Sequence, residues 1–230
     1  MRTPTRLKVA YAAIAALDTL LAGSSRPAAH RLRHLTKPLL LPVLGAALAT
    51  DPRAEASPLR PTTLAAQCAG WGGDVLLLRH GDRAFAAGAT SFGVGHLAYL
   101  TGFGSHRDRR TPLAHGGAAR AIATLWAVSG PVVAMVAARR NGRLGATVLG
   151  YSALLSTTAI ASTHLDPALP RDARMLTAAG GLLFLASDTV LGARTFLLPE
   201  PSQRLESVVM ATYTGAQLLL AEGAARAGRR

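Results

Sequence analysis

Residues 70–78 read GWGGDVLLL, an apolar run with one aspartate, Asp74, at its centre. Residues 184–196, FLASDTVLGARTF, repeat the pattern with Asp188. In a soluble core a carboxylate in such a place is penalised unless it is paired. In a bilayer an ionised side chain costs at least about 2.5–3.5 kcal/mol at the centre, and it is found where it faces the interior of a helix bundle. Whether these two runs face a soluble core or cross a membrane therefore decides the fold.

The composition around them answers for the membrane. Half of the 230 residues are hydrophobic and only 16% are charged, against roughly 25% in an ordinary soluble domain. The charges gather in short islands, among them HRLRH, RHGDR, SHRDRR, ARRNGR and LPRDAR. Between the islands lie apolar stretches near the length of about 17–25 residues that spans a bilayer. The sequence predicts eight helical spans, at about 7–23, 36–50, 61–78, 84–104, 117–138, 144–163, 174–197 and 205–222. The fold class is all-α: one integral membrane domain over residues 1–230, a compact bundle closed by abundant small residues that let helices approach. The segments 24–35, 51–60 and 105–116 read as the longest connections.

The net charge of +13 raises nucleic acid as a partner. The arginines, however, are spread over every short loop, without the clustered basic face and interleaved aromatics that would bind it. Arginines at helix ends instead reach toward lipid headgroups, so membrane lipid is the expected partner. The N-terminal MRTPTRLKVAYAAIAALDTLLAGSS has the basic and then apolar layout of a signal peptide. Asp18 within its apolar part favours a retained first helix. The lone cysteine, Cys68, forbids an intrachain disulfide. Eight spans place both termini on one side, and that side holds the larger share of Lys and Arg, Arg2, Arg229 and Arg230 included. The termini are therefore expected in the cytoplasm.

Asp74 and Asp188 fall at similar depths in the third and seventh spans, and each is followed by a span bearing polar groups: His96 and Tyr99, then Tyr213 and Gln217. This is the trace of a four-plus-four internal repeat. Asp74 and Asp188 are the leading candidates for a site. Lys37, His96, Tyr99, Ser187, Tyr213 and Gln217 are candidates to line a polar cavity, with Tyr151 as a further member. Each has a structural alternative: Lys37 paired with Asp18 or Asp74, His96 as a satisfied core histidine, Ser187 and the tyrosines as interhelical links. Asp18 and Arg194 read as structural. His30 and His34 have helical spacing but read as part of a basic loop. A zinc site from His96, Asp74, Asp188 and a further ligand is the weaker reading. No nucleophile elbow or phosphate loop occurs.

The ordered set TKPLLLP (36–42), GDVLLL (73–78), SFGVGHLAYLTGF (91–103), SDTVLGARTF (187–196) and YTGAQLLL (213–220) resembles the YhhN-type integral membrane family, which includes the lysoplasmalogenases. The resemblance implies a hydrolase of the vinyl-ether bond of lysoplasmalogens, with a lysophospholipid substrate, no cofactor and a bacterial plasma-membrane location. Its products would be a fatty aldehyde and a glycerophospho-ethanolamine or -choline. That chemistry asks for one carboxyl that donates a proton and a second, ionised, that activates water. Asp74 and Asp188 meet the requirement as a pair. Two other classes compete: a small-molecule transporter or lipid-binding bundle without catalysis, and a different lipid hydrolase, metal-dependent or not.

Overall fold

A computed structural model describes residues 3–228. Arg2, Arg229 and Arg230, counted above toward the orientation, lie outside them. Eight α-helices follow one another: α1 (Thr3–Ala22), α2 (Pro27–Ala49), α3 (Arg60–Leu77), α4 (Asp82–Ser105), α5 (Gly117–Arg140), α6 (Gly142–Ser162), α7 (Arg171–Gly192) and α8 (Gln203–Arg226). A 3-10 turn at Pro52–Ala54 precedes α3, and a π turn at Ala193–Leu197 continues α7. Among the described residues there is no strand, only an isolated bridge between Arg107 and Leu165. Three helices are long and apolar enough to cross a membrane by length and composition: α5, α6, and α7 with its π turn. The bundle is compatible with an integral membrane protein.

The boundaries follow local chemistry. Pro27 opens α2, where a missing N–H costs nothing. Asn141 and Ser202 cap α6 and α8, accepting from the N–H of Arg143 at 2.9 Å and of Arg204 at 3.2 Å. Gly81 and Gly116 turn the chain into α4 and α5 with φ of 97°, a conformation that suits glycine. One expected connection is corrected. Most of 24–35 is helix, because α2 begins at Pro27 rather than near 36. His30, Arg31, Arg33 and His34 lower the hydropathy there without opposing helix formation.

Consecutive helices pair as four hairpins, α1–α2, α3–α4, α5–α6 and α7–α8, with further packing of α4 on α6 and of α8 on α1 and α2. On α4 the glycines 88, 95 and 102 recur every seven residues, and a Cβ at each would press on Leu77, Ala66 and Thr62 of α3. The start of α1 and the end of α8 lie at one end of the bundle. There Lys8 of α1 pairs with Asp51 at 2.8 Å and with Glu222 of α8. Arg53 bridges the same two carboxylates, at 2.6 and 3.3 Å.

The outer surface is more apolar than that of a soluble bundle, and polar groups are set into an apolar core. Leu20, Leu35, Val128 and Met135 point outward, between 60% and 74% exposed. Asp18, Lys37, Gln67, Asp74, His96 and Gln217 are buried. A broad exposed apolar surface, with the buried polar groups facing the bundle interior, is what a bilayer solvent selects.

Candidate active site

A cavity of about 550 Å³ opens at the end of the bundle opposite the termini. Six helices contribute to its lining. From α2 come His30, Arg33, His34 and Lys37, spaced as one helical stripe. From α4 come Phe85, Ala89 and Phe92, with Asp74 and Leu77 from α3 and Tyr151 from α6. The end of α7 supplies Asp188, Leu191 and Arg194, and α8 supplies Glu206, Met210 and Tyr213.

Both aspartates reach this cavity, and their surroundings differ. Asp74 is fully enclosed, at 1% exposure. Tyr213 donates its hydroxyl to Asp74 at 2.7 Å, and the Lys37 ammonium stands 3.6 Å from the other oxygen. Asp188 is half-buried and takes a short hydrogen bond from the Tyr151 hydroxyl. Among the described residues no cation stands within ion-pair distance of it. His96 backs this pair, with Nε2 3.4 Å from the Tyr151 oxygen. Phe92, Phe184 and Tyr213 meet edge to face, with centroids 5.6–6.3 Å apart, beneath the carboxylates. Phe92 and Tyr213 of this aromatic floor line the cavity.

The mouth is basic and partly neutralised. Glu206 accepts from Arg33 at 3.1 Å and from Arg194 at 2.8 Å. Asp18, fully buried, accepts from Thr36 at 2.6 Å and lies 3.4 Å from Arg33. Arg33 and Arg194 each keep a buried Nε with no acceptor. Arg194 is aimed by the π turn, the kind of local widening often found at functional sites. The same turn sends Phe196 against Phe85, centroids 5.2 Å apart, under the Arg140 guanidinium.

Of the residues expected at a site, Lys37, Asp74, Asp188 and Tyr213 share the cavity, together with Tyr151. Lys37 pairs with Asp74 and not with Asp18. Ser187, His96, Tyr99 and Gln217 do not line it. Ser187 is buried and donates to the Val209 carbonyl at 3.0 Å, tying α7 to α8. Tyr99 donates to Gln217 at 3.3 Å, deeper in the bundle. The two halves are not equivalent here: Asp74 takes its tyrosine from α8, whereas Asp188 takes its own from α6.

His30, His34, His80, Arg33 and Glu206 are functional candidates that the sequence reading passed over, and Arg194 belongs with them. The signal was the α2 stripe 30-33-34-37, hidden once 24–35 was taken as a loop. His30 and His34 are correspondingly not loop residues. They face the cavity from a helix. Among the described residues no three His, Cys, Asp or Glu side chains converge as a metal site would require, so the zinc reading has no ligand set.

The family model of the YhhN family matches residues 32–224, which contain both aspartates and most of the cavity wall. No solved structure matches the chain.

Proposed function

The chain belongs to the YhhN family, and from that premise we propose an intramembrane hydrolase that cleaves the vinyl-ether bond of lysoplasmalogens. The observation that carries the reading is the pair of carboxyl groups in one cavity, Asp74 beside a lysine and Asp188 beside a phenol. Apolar walls below them and unsatisfied arginine donors at the mouth fit a single-chain phospholipid, with the phosphate held near Arg33 and Arg194.

In this reading Asp188 is the acid. It gives its proton to the vinyl carbon remote from the ether oxygen, and positive charge develops on the carbon bonded to that oxygen. Asp74, held as a carboxylate by the Lys37 ammonium, faces the developing cation and takes a proton from water as the water adds. The hemiacetal then opens. Asp74 returns its proton to the departing glycerol oxygen, and Asp188 recovers one from the hemiacetal hydroxyl. Both groups end as they began, with one water consumed and an aldehyde and a glycerophospho-alcohol released. Tyr151 and Tyr213 orient the two carboxyl groups, and the aromatic floor limits water to what the mouth admits. The products, with the headgroup ethanolamine or choline, are those the resemblance implies.

The test is aldehyde release by the detergent-purified protein from a lysoplasmalogen, with the matching ester and saturated-ether lysolipids as controls. The expected result is release from the vinyl ether alone, lost in both Asp74→Asn and Asp188→Asn. Free fatty acid from the ester would point to a different lipid hydrolase. No turnover of any of the three by folded protein would overturn the enzymatic reading in favour of transport or lipid binding.

A further inference from the structure

A second, narrower cavity of about 170 Å³ meets the first at the acid. It lies between α5, α6 and α7, and its wall is apolar along most of its length: Ile122, Val133, Val148, Leu155, Leu185 and Phe196. Tyr151 and Asp188 line both cavities, as do Phe85, Ala89 and Leu191. The cleft exists because α5 packs along α6 and touches the π turn but makes no extended contact with α7. Its one polar cross-link is turned inward, Trp126 Nε1 donating to Ser152 at 3.0 Å.

We propose that this groove binds the hydrocarbon chain of the substrate lipid, so that the chain leaves the reaction centre past Asp188 and runs between α5 and α7. The inference rests on the hydrolase reading for the identity of the lipid. The bond to be broken in a lysoplasmalogen joins a polar glycerophosphate to one apolar chain. A site that cleaves it needs a polar chamber and an apolar one meeting at the acid. Asp188 stands at that junction. The outer face of α5 carries Leu125, Val128, Val132 and Met135, all exposed, so the groove opens on an apolar surface from which a chain can enter sideways. The hydroxyls of Ser129, Ser152 and Thr189 in its wall donate to backbone carbonyls of their own helices and Trp126 donates to Ser152, which leaves the groove better suited to a chain than to a second headgroup.

Gly192 offers a direct test. It lines the groove, has φ of −63°, and a Cβ built on it meets nothing within 4 Å. Gly192→Phe therefore fills the groove without straining the backbone. With a series of lysoplasmalogens of increasing chain length, the expected result is unchanged hydrolysis of the shortest and a fall of about tenfold or more for the long ones, the scale of discrimination by a few methylenes. Val133→Phe narrows the groove from the opposite wall and should act alike.

The second measurement needs neither variant nor catalysis. A saturated-ether lysolipid carrying bromines on its chain is titrated into the protein in nanodiscs, and tryptophan fluorescence is followed. Binding in the groove quenches Trp126 saturably, an unbrominated lysolipid reverses it, and the signal is missing in Trp126→Phe. Saturable quenching without hydrolysis of any lysoplasmalogen would sink the hydrolase and leave the groove standing. Absent or unsaturable quenching overturns the groove whether or not the protein hydrolyses. So does a Gly192→Phe profile that falls equally at every chain length.

Discussion

Asp74 and Asp188 have the same side chain and one tyrosine partner each, so the difference between them comes from what else stands nearby. Lys37 beside Asp74 makes it the group suited to remain a carboxylate, while Asp188 is free to carry the proton. Removing either carboxyl should lower turnover by about 10²–10⁴, measured as aldehyde release at saturating substrate. Lys37→Met should approach the loss seen in Asp74→Asn, and combining the two should add little, because they act as a unit. Ser187→Ala is the contrasting case. Its hydroxyl serves the Val209 carbonyl, so thermal unfolding should report a loss of about 0.5–1.5 kcal/mol while turnover holds. A large fall in turnover with unchanged stability would return Ser187 to the site.

At the scale of the element, α2 carries the sharpest conflict between sequence and structure. Pro38 and Pro42 both lie inside it. Pro42 has no N–H to give, which leaves the Pro38 carbonyl without its helical donor. Trp71 of α3 supplies one, its Nε1 donating at 3.0 Å. The tryptophan thus lets a proline-containing helix stay continuous and keeps Lys37 in register with Asp74. Trp71→Phe should cost about 1–3 kcal/mol and lower activity through Lys37; unaltered stability would show that the carbonyl has another donor.

The turn after α2 is the second such point. Burial works to raise the Asp51 carboxyl, but hydrogen bonds from Arg53 and Lys8 outweigh it and hold it well below the ordinary 3.8. A carboxyl depressed in the folded state stabilises above its unfolded value and loses that contribution as pH falls. The melting temperature should therefore drop as pH is lowered below about 4. Asp51→Asn should cost about 1.5–3 kcal/mol at neutral pH and blunt that acid dependence. An acid limb as steep as that of the parent protein would assign it to other carboxylates.

For the whole molecule, the ion cluster of Lys8, Asp51, Arg53 and Glu222 gathers the start of α1 and the end of α8 at one end, and the cavity opens at the other. If the termini lie in the cytoplasm, the orientation expected from the basic residues on that side, the mouth faces away from it. Single cysteines in a Cys68→Ser background test this. Labelling by an impermeant thiol reagent in intact cells should occur at Arg79→Cys, beside the mouth residues Leu78 and His80, and not at Thr3→Cys. The reverse pattern would place the mouth, and access to substrate, on the cytoplasmic side.

Eight helices, their all-α class and, apart from the start of α2, their limits to within a few residues follow from the sequence, because charge islands and apolar runs depend only on neighbouring positions. Asp74 and Asp188 were legible for the same reason: a carboxylate in apolar text is conspicuous wherever the helix packs. What the residues near them do was decided by tertiary structure. Ser187 precedes an aspartate yet faces α8, Tyr99 meets Gln217 away from the cavity, and Tyr151 from α6 donates to Asp188. His30, Arg33 and His34 look like a soluble loop by hydropathy and become the cavity mouth only when α2 runs from Pro27 beside α8. Which face of a helix turns inward, and what it meets there, depends on partners distant along the chain, and local pattern does not carry that information.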